Sequence, residues 1–169
     1  VTFYFVDNEF YYNRPSVYGW GGDEGEHFAF FDRAVLEALP GAQVFIGVAA
    51  VADYRPLTTA EHKLKKTSDT LTVALTPNPD ILAEVAARED APFCVGFAAE
   101  SRDLDAYAEG KRRNKRLPML VGNLVSDGMG GDDNMVILYD DAGRHPLPRA
   151  SKAEVAHGIV AHLARLLAD

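Results

Sequence analysis

Only one cysteine, Cys94, occurs in the chain, which rules out an internal disulfide and any multi-cysteine metal centre. It sits in the apolar run Phe93-Cys94-Val95-Gly96-Phe97, where the expected role is a small buried hydrophobe rather than a nucleophile. No stretch reaches the ~18 to 20 apolar residues of a membrane span, and the first residues lack the basic flank and apolar centre of a secretory signal. These absences point to a cytoplasmic protein with no membrane partner. Positive charge is also scarce: 17 Lys and Arg against 25 Asp and Glu leave a formal net charge of -8. That argues against general attraction to nucleic acid or an anionic surface, and it makes local basic clusters more informative. Glycine-rich phosphate loops of the P-loop or GxGxxG type are missing as well, as are internal repeats and low-complexity linkers.

What remains is a chain of 169 residues, enough for one ordinary domain with one core. Its 47% hydrophobic and 25% charged residues place it among globular rather than disordered chains. Two unlike parts follow each other. Residues 1–40 are aromatic and acidic, with a possible strand at Val1 to Val6, turn chemistry at Asp7-Asn8, and a glycine-rich acidic loop from Tyr18 to Glu26. A helix is expected from His27 to Leu39, with Phe28, Phe31, Val35 and Leu39 on one face and Pro40-Gly41 as its stop.

Residues 41–169 alternate regularly. Strands are expected at Gln43–Val48, Thr70–Leu75, Phe93–Phe97, Met119–Gly122 and Met135–Tyr139, and helices at Asp80–Arg88, Leu104–Arg116 and Ser151–Leu167. Ser151 is placed to cap the last of these, whose inward face is Val155, Ile159, Leu163 and Leu166. Strands alternating with helices imply parallel pairing in a layered α/β sheet, with ligands bound beyond the carboxyl ends of the strands.

Four places carry possible chemistry. In Gly47-Val48-Ala49-Ala50-Val51-Ala52-Asp53, small residues after a strand let a ligand approach the backbone, and Asp53 is the first charge to meet a ribose hydroxyl or a metal-bound water. An ordinary βα loop with a solvated aspartate is the equal alternative. Lys63-Leu64-Lys65-Lys66 is by itself a solvated run, made more interesting by its nearness to that loop. In Thr76-Pro77-Asn78-Pro79-Asp80-Ile81-Leu82, two prolines fix the start of a helix whose free N–H groups are available to a ligand oxygen, although helix-start chemistry alone accounts for the motif. Within Lys111-Arg112-Arg113-Asn114-Lys115-Arg116, Lys111 and Lys115 share a helix face, and an anion between them would explain the pairing of like charges. The segment Gly128 to Asn134 lacks calcium-hand spacing and is expected to be a tight turn. His157 and His162 are five apart and share no face, so no metal site is expected from that pair.

In their order these motifs resemble phosphopantothenate–cysteine ligase, the synthetase half of the bifunctional bacterial coenzyme A biosynthesis protein. The likeness runs from about Val35 to Leu167. It takes in Ala49 to Pro56, Lys63 to Lys66, Asn78 to Leu82, Val95-Gly96-Phe97-Ala98-Ala99-Glu100, Lys111 to Lys115, Gly130 to Asn134, Leu147-Pro148 and Ser151-Lys152. The resemblance implies a three-layer, Rossmann-like, mostly parallel α/β sheet and an enzyme that uses CTP and Mg²⁺. The carboxylate of 4'-phosphopantothenate becomes an acyl-cytidylate with release of pyrophosphate, and the cysteine amine then displaces CMP. Position by position, Lys63 matches the lysine that turns over the cytidylate, while Gly47, Val48, Ala49, Asp53, Pro79, Asp80, Ile81, Leu82, Phe97, Lys111 and Lys115 match CTP contacts. The family is dimeric, with the Lys63 to Leu75 region near the contact, so a homodimer is implied.

The family's opening strand, glycine-rich turn and Asn/Arg-bearing substrate segment are not matched in residues 1–40. That stretch instead resembles bacterial glycogen synthase, through Phe5 to Pro15 and Glu26 to Glu37. The chain is therefore expected to be a junction of two unrelated pieces meeting near Val35 to Pro40. Two other readings stay open: a non-catalytic nucleotide-binding or interaction module, and a glycogen synthase (glycosyltransferase) fragment.

Overall fold

A computed structural model describes residues 3–6, 33–48, 52–58, 62, 65, 70–128 and 131–168. Its first elements are strand β1 (Phe3–Val6), a helix at 33–38 (α1) and strand β2 (Val44–Gly47). The helix stops where expected: Gly41 takes a left-handed φ of 80°, and Ala42 N–H returns to the Leu39 carbonyl at 2.8 Å. Residues 27–32 of the expected helix lie outside the described residues.

Next come β3 (Tyr54–Pro56), β4 (Leu75–Pro77) and helix α2 (Ile81–Ala86). The strand expected at Thr70–Leu75 begins later. Residues 70–74 carry no strand ladder, and Leu75–Pro77 pairs antiparallel with Tyr54–Pro56. The alternation there has no core to face, since Leu71, Val73 and Leu75 are 73%, 52% and 56% exposed.

The remaining elements are β5 (Phe93–Glu100), α3 (Leu104–Asn114), β6 (Met119–Leu124), the single turn α4 (Val125–Gly128), β7 (Asp133–Asn134), β8 (Ile137–Asp140), β9 (Gly143–Pro146), β10 (Ala150–Ser151) and α5 (Lys152–Leu166). Among the described residues the main sheet has six strands in the order β1-β2-β5-β6-β8-β9. The first four are parallel, whereas β8 and β9 run antiparallel. Parallel pairing of β8 was expected; it fails because the β6–β8 connection holds only the one-turn α4, too little helix to carry the chain back. The turn expected at Gly128 to Asn134 in fact contains β7, which pairs with β10.

Period-2 alternation on the central strands makes a three-layer molecule. Phe45, Cys94, Ala98, Leu120 and Tyr139 pack under α1, α2 and α3 with Val35, Leu39, Ile81, Val85 and Ala108. Val44, Ile46, Val95, Met119, Val121 and Leu138 face α5 with Val155, Ile159 and Leu163. A capping box fixes the start of α5: Glu154 N–H donates to Ser151 Oγ at 3.3 Å while the Glu154 carboxylate accepts from Ser151 N–H at 3.0 Å. Burial pushes the Cys94 thiol up to about 11, in keeping with its expected inert role.

Strand order follows chain order, so the described sheet contains no reversal of winding that would open a crevice at a switch point. A step replaces it. Gly47, the last residue of β2, is level with Gly96, and β5 continues four residues further to Glu100.

Candidate functional site

The step at the end of β2 gathers segments far apart in sequence. Backbone and side chain of Asn78 hold the loop that follows β2: Asn78 N–H donates to the Asp53 carbonyl at 2.8 Å and Asn78 Nδ2 to the Ala52 carbonyl at 2.7 Å. One guanidinium nitrogen of Arg55 donates to Asn78 Oδ1 at 2.9 Å and to the Pro77 carbonyl at 3.1 Å. Pro77 and Pro79 have no N–H, so Asn78 is the residue of that motif able to make these bonds. Its importance was written in the Pro-Asn-Pro pattern but needed the hairpin to become visible.

Asp80 then acts twice. Its Oδ1 accepts the Ala83 N–H at 3.1 Å and caps α2, and its Oδ2 lies 2.8 Å from Lys115 Nζ. Ile81 is buried in the core, and Leu82 packs over both Gly47 and Gly96. Val48, Asp53 and Pro79 are exposed around this point. Ala49 and Lys63 lie outside the described residues. Phe97 packs its ring into the α5 layer, the face opposite Leu82 and Lys115, so its side chain is not brought to the others.

The basic run at the end of α3 divides by direction. Arg112 turns inward and is buried, donating to Glu109, to Asp141 Oδ1 at 2.8 Å and to the Leu117 carbonyl at 3.2 Å. Arg113 Nε donates to Glu109 Oε1 at 2.6 Å, and hydrogen bonds from Arg112 and Arg113 hold the Glu109 carboxyl down at about 2. Lys111 Nζ sits 2.7 Å from Glu100 Oε1, so each lysine has its own carboxylate, Glu100 for Lys111 and Asp80 for Lys115. The expectation of one anion between two lysines becomes two protein carboxylates facing them. Glu100 was quoted in the strand motif without a role; its place at the end of the long strand supplies one.

Helix α3 ends without glycine. Arg116 takes φ 55°, Arg116 N–H returns to Arg113 O at 3.1 Å, and Leu117 N–H returns to Arg112 O at 2.9 Å. This tight stop sets Lys115 beside the start of α2. Farther along the sheet, an open cleft of about 470 Å³ is lined by Asp103, Asp105, Leu124, Asp127 and Arg144. The Tyr139 hydroxyl donates to Asp105 Oδ1 at 2.6 Å and Arg144 Nε donates to the same oxygen at 2.8 Å, which together keep that carboxyl below its usual range.

The arrangement offers exposed Val48, Ala52 and Asp53 after β2, two ammonium groups each paired with a carboxylate, and backbone of Ala52 and Asp53 tied by hydrogen bonds to Asn78. A polyanion of several oxygens is the ligand class it suits. Oxygen donors suited to a hard cation are present in the exposed Asp53, and a cation shared with ligand phosphates needs few protein ligands.

The sequence pattern of the DNA/pantothenate metabolism flavoprotein C-terminal domain matches residues 30–167, and that of the starch synthase catalytic domain matches residues 1–56. The coenzyme A biosynthesis bifunctional protein CoaBC of Vibrio cholerae is 46% identical over 133 residues, covering 75% of this chain and 33% of that protein. The protein of that name in Escherichia coli K12 is 41% identical over 128 residues, covering 72% of this chain and 32% of its own length. The chain thus spans about a third of the curated relatives it matches. A crystal structure of the C-terminal domain of CoaBC superposes with a TM-score of 0.66 at 30% identity, covering 83% of this chain and 63% of that one. A Cab2 mutant in complex with phosphopantothenate-cysteine has a TM-score of 0.58 at 20% identity over 74% of this chain and 45% of its own, a likeness of fold.

Proposed function

The chain belongs to the DNA/pantothenate metabolism flavoprotein C-terminal domain family, and from that premise we propose that it carries the CTP-binding part of a phosphopantothenate–cysteine ligase. One observation carries the reading. The family's separate motifs meet at the end of β2, through Leu82 over Gly47, Asn78 to Asp53 and Asp80 to Lys115. The reaction joins the carboxylate of 4'-phosphopantothenate to the α-phosphate of CTP and releases pyrophosphate. The cysteine amine then attacks the acyl carbon, loses a proton and expels CMP, leaving an amide. Lys111 and Lys115 would exchange their carboxylates for phosphate oxygens and hold the departing pyrophosphate. Gly47, Val48 and Ala49 would let the nucleotide lie against the backbone, and Lys63 would face the charge that develops at the acyl centre. Mg²⁺ would screen the phosphate charge, and the exposed Asp53 carboxylate would be a protein group able to hold it.

Titration of the purified chain with CTP, ATP, GTP and UTP tests the nucleotide site. CTP should bind, and Lys111→Gln and Lys115→Gln should each weaken it about tenfold, the loss of one charge-assisted bond. Equal binding by wild type and both variants would remove the lysines from the site. In a pyrophosphate-release assay with phosphopantothenate and cysteine, Lys63→Gln should abolish any turnover while lowering CTP affinity only modestly. Ligation by this chain is expected to be slight, because the family's glycine-rich turn and Asn/Arg-bearing substrate segment are not matched in residues 1–40.

Residues 1–40 are, on this reading, of glycogen synthase type in origin and joined near Val35 to Pro40, although β1 pairs with β2 and Val35 and Leu39 enter the shared core. Sequencing the source DNA across codons 30 to 45 tests the junction. A homodimer would cover the apolar surface of Tyr54, Leu57, Leu71, Val73 and Leu75, which are 52–73% exposed. Sedimentation of wild type against a Leu71→Lys, Val73→Lys variant reads this directly. A cytoplasmic setting accords with the free, buried Cys94.

A further inference from the structure

Away from the nucleotide step, three ligating side chains from three elements meet at the far edge of the sheet. Asp140 ends β8, His145 lies in β9 and His162 on α5. His145 Nε2 is 3.0 Å from Asp140 Oδ1, and His162 Nε2 is 2.7 Å from Asp140 Oδ2. The two imidazole rings are tilted, with centroids 4.6 Å apart, and the ligating atoms all lie within 4.8 Å of one another. Asp140 and His162 are buried, at 3% and 6% exposure, whereas the His145 side chain is 36% exposed and opens one side of the cluster to water.

The surroundings fix this geometry. In the β8–β9 turn, Ala142 and Gly143 N–H donate to Asp140 Oδ1 at 2.8 and 3.1 Å, and Gly143 adopts φ 122° to allow it. Arg165 donates to His162 Nδ1 at 3.0 Å, so Nδ1 accepts and it is Nε2–H that faces Asp140. Burial opposes ionisation of Asp140, but hydrogen bonds from both histidines outweigh it and keep the carboxyl below its ordinary range.

We propose that Asp140, His145 and His162 form a binding site for a divalent cation of the zinc class, with water as the fourth ligand. Two imidazole nitrogens and one carboxylate oxygen make a donor set that zinc accepts in tetrahedral geometry. Tetrahedral zinc at ~2.0–2.1 Å from each ligand holds the ligand atoms about 3.3–3.5 Å apart. The rings contact different oxygens of Asp140, His162 at Oδ2 and His145 at Oδ1, so the carboxylate turns to present one of them. The 2.7 and 3.0 Å contacts open by about 0.6–0.8 and 0.3–0.5 Å, and each ring moves its proton from Nε2 to Nδ1 through water. The buried Asp140 carboxylate supplies the anionic donor of the set. Arg165 opposes binding, because a His162 ring that ligates through Nε2 must carry its proton on Nδ1, facing the guanidinium. Arg165 is exposed and free to swing into water.

The test uses the full chain without a histidine tag, stripped by chelator and titrated with Zn²⁺ against a chromophoric chelator, with Co²⁺ absorbance reporting the coordination. One equivalent should bind at micromolar protein and raise the thermal midpoint. His145→Ala, chosen because the ring is half-exposed, should weaken binding at least tenfold and cancel the midpoint rise. The exposed His157→Ala should change nothing, and Arg165→Ala should tighten binding severalfold. No stoichiometric binding, or equal binding by wild type and His145→Ala, overturns the site and leaves Asp140 as a hydrogen-bonded anchor for α5.

Discussion

Gly47 and Gly96 are neighbours across the β2–β5 ladder, yet the same substitution should have opposite consequences at the two positions. A methyl group added at Gly96 would lie 2.8 Å from Leu117 Cδ1 and 2.8 Å from Leu82 Cδ2. Carbon atoms prefer about 3.5–4.0 Å, so both contacts are too short by about 0.7 Å or more. Leu117 is 2% exposed and has no solvent to rotate into. Overpacking of this kind costs about 1–3 kcal/mol, offset by the ~0.5–1 kcal/mol that a strand gains when glycine becomes alanine. Two such contacts at once put the cost in the upper part of that range, about 2–3 kcal/mol, so Gly96→Ala should lose roughly 1–2.5 kcal/mol net and lower the thermal midpoint by about 2–10 °C. At Gly47 the added carbon meets Leu82 and Phe45 no closer than 3.5 Å, an ordinary contact. Gly47→Ala should therefore melt at or slightly above the wild-type midpoint, while binding CTP more weakly if the nucleotide lies against that backbone. Thermal melts and CTP titrations on both variants decide the matter. A Gly96→Ala protein as stable as wild type, or a Gly47→Ala protein as unstable as Gly96→Ala, would refute the packing argument.

Arg116 occupies a left-handed position at the end of α3 and is exposed, so Arg116→Gly should raise stability by about 0.5–1 kcal/mol in urea denaturation. Glu109 titrates at about 2 in the folded chain against an ordinary 4.5. A depressed carboxyl adds stability that is present above pH 4.5 and fades as the pH falls towards 2, so Glu109→Gln should flatten the acid side of the stability profile. An unchanged acid slope would show that the Arg112–Glu109 pair does not carry it. Asp140→Asn keeps one acceptor oxygen but sets an amide N–H₂ against a histidine donor, and should cost about 2–3 kcal/mol in the same assay.

Much of the fold was legible because its signals are local. Val44 to Gly47, Phe93 to Phe97 and Met119 to Gly122 are short apolar runs buried on both faces, and Ser151 with Glu154 states a helix start outright. The hairpin of β8 and β9 was not, since Asp140-Asp141-Ala142-Gly143 lacks the common turn pairs and its partner strand Gly143–Pro146 is polar. At Thr70 to Leu75, alternation mimicked a half-buried strand whose apolar side is exposed. At the step after β2, motif order named segments that the fold brings close together, while the carboxylates that balance the lysines stayed hidden because Glu100 is eleven residues from Lys111 and Asp80 thirty-five from Lys115. The Asp140, His145 and His162 cluster escaped for the same reason: its spacing has no period, and only the sheet edge brings it together.

Those hidden carboxylates bear on how a chain of net charge -8 would accept a polyphosphate. Lys111 and Glu100 are 49% and 14% exposed, and Lys115 and Asp80 are 30% and 47% exposed. Partly solvated pairs of this kind contribute about 0–1 kcal/mol each, whereas a charge-assisted bond to phosphate contributes about 1.5–3 kcal/mol. Exchange of carboxylate for phosphate is then favourable at each lysine, while the carboxylates that are released repel any ligand too short to reach both cations. On the proposed reading, Asp80 and Glu100 select for the length of the phosphate chain. Asp80→Asn, which preserves the cap on α2, should narrow the gap between CTP and CMP affinity by raising CMP more than CTP. If both nucleotides gained equally, the two carboxylates would be simple competitors and selection by length would fail.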